Sequence, residues 1–169
     1  HWQFTKPGAA PVAVTLPHTW NAADGTDGGN DYFRGTCTYT KKFAAPAHAD
    51  DEEVWLEFEG AAMTAVVSLN GKELTRHVGG YSTFRVNLTP ALAAQNTLTV
   101  TVDNSANRTV YPQKADFTFY GGIYRDISLM VVSKNHIALG HFGDTGVKIT
   151  PALKAVSYTH LRAHETVLD

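Results

Sequence analysis

The sequence is poor in the features that mark several ligand classes. It holds one cysteine, Cys37, in 169 residues, so no internal disulfide can form and the redox compartment stays undetermined. A lone cysteine in a strand-like stretch reads as a small buried apolar residue. There is no excess of charge of one sign: 14 Lys and Arg stand against 16 Asp and Glu, a formal net charge of −2. Nothing here would hold a phosphate backbone or an anionic lipid surface, so neither nucleic acid nor membrane is expected as a partner. No apolar run approaches the length of a bilayer span. The opening residues, from His1 to Lys6, lack a charged stretch followed by an apolar one, so no signal peptide is visible and localisation stays unknown. The missing initial Met is read as a missing true N-terminus. His18, His48, His77, His136 and His141 lack the spacing of metal ligands. The run from Asp24 to Asp31 superficially resembles a calcium loop without its closing bidentate Glu. No metal or cofactor is expected.

What is present reads as strands. Val54, Leu56 and Phe58 alternate with Trp55, Glu57 and Glu59. Met63, Ala65, Val67 and Leu69 alternate with Thr64, Val66, Ser68 and Asn70. Leu98, Val100 and Val102 form a third such set, and Ile127, Leu129 and Val131 a fourth. Period-two runs rich in β-branched residues mark half-buried strands. Cys37, Tyr39 and Phe43 mark one more, although Lys41 interrupts its alternation. Asn70-Gly71 tolerates positive φ at both central positions and predicts a tight hairpin. Thr89 followed by Pro90 predicts a short helical turn, with Thr89 as its cap. Without helix–strand alternation or a long repeat, these elements predict an all-β sandwich, a jelly roll.

The chain divides into three parts. Residues 1–133 form the sandwich. Residues 134–155, with strand-like text at 137–139 and 147–149, read as a linker and the first strands of a truncated second β-domain, immunoglobulin-like in type. Residues 156–169 stand apart. Val156 to Thr166, V-S-Y-T-H-L-R-A-H-E-T, resembles the in-frame translation of adapter DNA from transposon-based sequencing libraries. Such scars are excluded from arguments about fold or function, so His160, His164 and Glu165 are not candidate ligands or catalysts.

Two segments break the strand pattern: 21–35, rich in Gly, Asp and Asn, and 103–122, long and aromatic. Long ordered loops on a β-scaffold are where function concentrates. Asp116 to Asp126, D-F-T-F-Y-G-G-I-Y-R-D, resembles the signature of the N-terminal domain of family 2 glycoside hydrolases, which include β-galactosidases, β-glucuronidases and β-mannosidases. Pro17-His18-Thr19-Trp20-Asn21 is similar to that family's early P-H-x-W motif. The run from Tyr32 to Tyr39 is similar to its glycine-then-strand element. The run from Leu56 to Ala61, followed by Leu69-Asn70-Gly71, resembles its core hairpin. The motifs occur in the family's order between Leu16 and Ser133.

The resemblance implies a galactose-binding-like jelly roll that braces a catalytic barrel absent from this chain. It also implies a parent that is a retaining glycosidase, β-galactosidase-like, with a β-glycoside as substrate. Retaining glycosidases need two carboxyl groups about 5 Å apart, and in this family both are glutamates of the barrel. Glu52, Glu53, Glu57, Glu59 and Glu73 match neither motif, so no residue here is expected to be catalytic and the fragment alone is expected to be inactive. Asp116, flanked by aromatics at the loop apex, can accept two hydrogen bonds from vicinal hydroxyls. By resemblance it contacts the sugar in the outermost subsite. Asn104 is a second candidate for that wall, although Asp103-Asn104 also fits a turn. Trp20, Phe117, Phe119, Tyr120 and Tyr124 either stack on sugar or pin the loop. A free-standing carbohydrate-binding module and a pure scaffold domain remain as alternative readings.

Overall fold

The alternating runs become antiparallel strands in a computed structural model that describes residues 1–24, 32–112, 117–141 and 143–151. In chain order the strands are β1 (Trp2–Thr5), β2 (Val12–Val14), β3 (His18–Thr19), β4 (Thr36–Ala44), β5 (Glu52–Phe58), β6 (Thr64–Leu69), β7 (Lys72–Val78), β8 (Phe84–Asn87), β9 (Gln95–Asp103), β10 (Gly122–Ile123) and β11 (Ile127–Ser133). They build a six-stranded sheet ordered β2-β1-β4-β9-β6-β7, a three-stranded sheet ordered β11-β5-β8, and a small β10-β3 pair. The expected β-sandwich is what forms.

The period of two decides the core. Val54, Leu56 and Phe58 from β5, Ala65, Val67 and Leu69 from β6, and Leu98, Val100 and Val102 from β9 are all buried in one cluster. Cys37 and Tyr39 join them from β4. Burial drives the Cys37 thiol up to about 11, so it is an inert packing group. Lys41, which breaks the β4 alternation, extends its ammonium over the Trp2 ring at 5.5 Å. Phe58 and Phe84 stack face to face with centroids 4.6 Å apart, joining β5 to β8.

The Asn70-Gly71 hairpin forms as expected, with φ of 53° and 82°, between β6 and β7. The helical turn at Thr89–Ala91 also forms, as a single 3-10 turn. Its cap differs from expectation. Leu88 occupies the N-cap position without a side-chain bond. The Thr89 hydroxyl instead accepts the Val54 N–H at 2.8 Å, tying the turn to β5. Thr89's own N–H goes to Asn87 Oδ1 at 2.9 Å. A tertiary partner outcompetes the local one.

After β11 no described residue lies in a strand, so 137–139 and 147–149 are not the strands their text predicts. Part of this stretch folds back on the outer face of β5 and β8. Arg85 bonds Glu57 and donates through Nη1 to the carbonyls of Leu139 (3.3 Å) and Asp144 (2.8 Å). His136 sits edge-on to Trp55 with centroids 6.0 Å apart. A Cβ on Gly143 would lie 2.0 Å from the Thr83 carbonyl oxygen, which shows how closely the segment approaches β8. These backbone contacts replace strand pairing. Residues 156–169 lie outside the described residues.

Candidate functional site

The two irregular segments meet at one edge of the sandwich, and the meeting point is a buried polar knot. Asn21 and Asn104 are almost wholly withdrawn from solvent, at 1% and 0% exposure. Asn21 Oδ1 accepts the Gly121 N–H at 2.7 Å and the Asn104 Nδ2 at 3.1 Å. Its Nδ2 donates to the Phe33 carbonyl at 2.8 Å and to Asp24 Oδ2 at 2.5 Å. Asn104 Oδ1 accepts the Gly35 N–H at 2.8 Å, and its Nδ2 donates also to the Phe119 carbonyl at 2.8 Å. The two amides thus bind the segment after β3, the segment before β4, the loop after β9 and the loop before β10. No described buried side-chain nitrogen or oxygen lacks a partner. A buried network satisfied at every member holds a single geometry.

The glycines of the long loop explain why the knot closes. A Cβ on Gly121 would stand 2.0 Å from Trp20 Cζ2, so only glycine lets the indole lie against this backbone. Gly122 has φ of +133°, and a Cβ there would meet the His18 carbonyl oxygen at 2.4 Å. Just beyond Gly121, β10 pairs with β3 through Gly122 opposite Thr19 and Ile123 opposite His18. The Thr19 hydroxyl donates to the Gly121 carbonyl at 2.8 Å, and Trp20 Nε1 donates to the Phe33 carbonyl at 3.3 Å. His18 shares a 2.7 Å hydrogen bond with Tyr39; burial lowers its pKa, favouring the neutral ring.

The structure gives Asn104 an internal task. Its side chain has no surface to offer a sugar, and its known bonds all run to the protein. Asp103 beside it accepts from the Thr36 hydroxyl and from the Ser105 N–H. Its burial opposes charge, but those hydrogen bonds and the Arg34 guanidinium outweigh burial and hold its pKa low. Asp116 lies outside the described residues, between Pro112 and Phe117. Residues 25–31, most of the calcium-like string, also lie outside them. The remaining member, Asp24, is committed to Asn21 and to the Phe33 N–H (3.3 Å).

Three of the aromatics take the pinning role considered for them. Trp20 stacks on Phe4 with centroids 6.0 Å apart. Phe119 is buried, with the Arg34 guanidinium 4.6 Å above its ring. Tyr124 donates its hydroxyl to the Gly80 carbonyl. These three pin the loop. Tyr111, Phe117 and Tyr120 are exposed at 79%, 53% and 48%, and Phe117 lies against Phe119 with centroids 5.6 Å apart. Tyr32, also exposed, accepts the Phe119 N–H at its hydroxyl, linking the two segments again.

Arg125 and Asp126 do not pair. Arg125 donates to the Tyr81 carbonyl at 3.1 Å, and the Asp126 carbonyl accepts the Glu59 N–H. Both precede β11 rather than sit in it. Four of the glutamates also have structural partners. Glu52 takes the Ala49 N–H, Glu53 the Trp55 indole, Glu57 pairs with Arg85 and Glu73 with Arg76. In the sequence Asn21 stands inside the P-H-x-W-type motif with nothing local to mark it out. A polar residue in a Gly/Asp/Asn-rich stretch reads as a solvated turn, and only the tertiary contact with Asn104 shows otherwise.

Comparison with known proteins agrees with this arrangement. Residues 30–152 match the family described as glycosyl hydrolase 2 galactose-binding domain-like. A β-glucuronidase of Bacteroides fragilis is 35% identical over 136 residues, covering 79% of this chain and 20% of its own. The FMN-binding β-glucuronidase of Facaelibacterium prausnitzii L2-6 superposes with a TM-score of 0.80 at 41% identity, covering 85% of this chain and 23% of its own. A β-glucuronidase of Bacteroides uniformis gives a TM-score of 0.76 at 35% identity, covering 85% and 18%. The chain therefore spans less than a quarter of the length of these relatives. With its sandwich, its glycine-locked loop and its matched length, the chain belongs to the galactose-binding-like domain family of the family 2 glycoside hydrolases.

Proposed function

We propose that this domain is a non-catalytic part of a retaining glycoside hydrolase, and that it lends the 103–122 loop to the substrate pocket of a barrel supplied by the rest of the parent. The observation that carries this reading is the Asn21–Asn104 knot. It rigidifies the base of an otherwise irregular loop, and above that base Tyr111 and Phe117 project into solvent. Ordering a loop costs conformational entropy of about 1–2 kcal/mol per residue. A buried polar lock that offsets this cost suits a loop whose tip must be placed accurately.

Asp116 lies between those two exposed rings in sequence. Its carboxylate is the group proposed to receive vicinal hydroxyls of the terminal sugar. The parent's sugar is a β-glycoside; the relatives' names favour a glucuronide or a galactoside. The catalytic glutamates are proposed to lie in the barrel, which leaves this fragment without hydrolytic activity.

The test is made in the intact parent. Asp116→Ala should lower kcat/KM on an aryl β-glucuronide or β-galactoside by roughly 10- to 100-fold, the loss expected for charge-assisted hydrogen bonds worth about 1.5–3 kcal/mol. The lesion should grow with substrates that keep the terminal hydroxyls and vanish with those that lack them. An unchanged kcat/KM would remove Asp116 from the pocket.

A further inference from the structure

Arg34 stands just before β4, between the two irregular segments. Its Nε donates to the Asn104 main-chain carbonyl at 2.8 Å. Its guanidinium lies over the Phe119 ring, 4.6 Å from the centroid. One side chain thus ties the segment before β4 to the residue after β9 and to the far end of the long loop. These contacts are separate from those of the two amide side chains in the knot.

Phe119 is the residue through which that tie acts. It is buried in a small apolar cluster with Ala62, Met63 and Val110, apart from the main core. Its N–H donates to the Tyr32 hydroxyl at 2.5 Å, and its carbonyl accepts from Asn104 Nδ2 at 2.8 Å. Main-chain donor, main-chain acceptor and ring are therefore all held. Tyr32 and Arg34 supply two of those holds from either side of Phe33.

The loop changes character just before this point. Phe117 is 53% exposed and lies against Phe119 with centroids 5.6 Å apart. Only two peptide links separate the exposed ring from the fixed one, and a chain spans at most about 3.5 Å per residue. A shift of Phe119 is therefore passed to Phe117, and to Asp116 one residue further, with few dihedrals to absorb it.

The hold on Phe119 calls for arginine. A planar guanidinium can stack on an aromatic face while an in-plane N–H bonds a carbonyl. A lysine ammonium is a compact, strongly hydrated charge that serves one or the other. The hydrogen bonds of Phe119 fix its main chain, and the stacked guanidinium fixes its ring, on which Phe117 rests.

We propose that Arg34 is a positioning residue for the parent's reaction. It touches no substrate and acts through Phe119 on the placement of Phe117 and Asp116. The inference rests on the pocket role proposed for Asp116.

Two measurements test it. In the 169-residue chain, Arg34→Lys should speed hydrogen exchange at the Phe119 and Tyr120 amides about 10-fold and leave β4 and β9 unchanged. Equal rates in the two proteins, or a rise spread over β4 and β9, would overturn the inference. In the intact parent, kcat/KM on an aryl β-glucuronide or β-galactoside is compared for Arg34→Lys, Asp116→Ala and the double variant. Arg34→Lys alone should cost about 10-fold, less than the roughly 100-fold that a misplacement near 1 Å can cost. The double variant should lose no more than Asp116→Ala alone, because the arginine acts through the loop that carries the carboxylate. General destabilisation, or direct contact of Arg34 with the sugar, would instead multiply with the loss at Asp116. A harmless Asp116→Ala would remove the pocket reading and this inference with it. A costly Asp116→Ala beside a harmless Arg34→Lys, or two losses that multiply, would remove this inference alone.

Discussion

Asn104 shows how one side chain can be misread between two roles. Its place beside a long aromatic loop invites a ligand-facing role, but its amide is consumed by Gly35, Asn21 and Phe119. The Asn104→Ala variant strands a half-buried N–H at Gly35 and a buried carbonyl at Phe119. Each unsatisfied group costs about 1–3 kcal/mol, so urea unfolding should show a loss of about 2–4 kcal/mol. If Asn104 faced ligand instead, the variant would unfold like the parent sequence. The knot also separates what was legible from what was not. Gly121 and Gly122 announce a special backbone in any sequence. The partner of Asn21 lies 83 residues away, and no local pattern encodes that distance.

At the scale of elements, period-two alternation identified β5, β6, β9 and β11, and the Asn-Gly turn between β6 and β7. It was silent for β1, β2, β3, β8 and β10, which run two to four residues each. Such short strands show too few alternations to stand out from loop text. Alternation also places β11's odd-numbered residues on one face without showing that the face is half open. That depends on which strand sits at the sheet edge, a matter of topology.

The segment after β11 illustrates the same limit and yields a pH prediction. His136 Nδ1 bonds the Ile137 carbonyl and Nε2 faces Glu53 Oε2 at 3.3 Å. These raise the histidine's pKa, the carbonyl first and Glu53 next. Glu53 is held low by the Trp55 indole first and His136 next. A raised histidine contributes below its ordinary 6.5 and loses that contribution as pH rises through its folded value. A lowered glutamate contributes above its ordinary 4.5 and loses that contribution as pH falls through its folded value. Attachment of this segment should thus be strongest between those two limits. Histidine NMR should place His136's midpoint above 6.5, and Glu53→Gln should lower it. A midpoint below 6.5 would show that the contacts do not form in solution.

For the whole molecule, the proposed function makes the sandwich a platform for a reaction centre built elsewhere in the parent. Four of the five described glutamates, Glu52, Glu53, Glu57 and Glu73, each serve a backbone amide, an indole or an arginine within the fold, and the fifth, Glu59, is exposed. Retaining hydrolysis needs an acid and a nucleophile about 5 Å apart across a bound sugar. The 169-residue chain should therefore release no nitrophenol from aryl β-glucuronide or β-galactoside beyond the buffer rate, while the intact parent should do so readily. Turnover by the isolated chain would show that the catalytic pair lies within it after all.

Taken alone, the order of residues determined the all-β class, the strands long enough to alternate, the hairpin at Asn70-Gly71 and the special backbone at Gly121-Gly122. All of these are local properties, set by side-chain period and allowed φ. Only the tertiary structure decided that Asn21 and Asn104 are a lock, that Thr89 serves β5 instead of its own turn, that the text after Ser133 wraps the outer sheet face, and that β11 is left as an edge. Each of those outcomes depends on which distant backbone groups come within hydrogen-bonding reach, and folding, not sequence proximity, settles that.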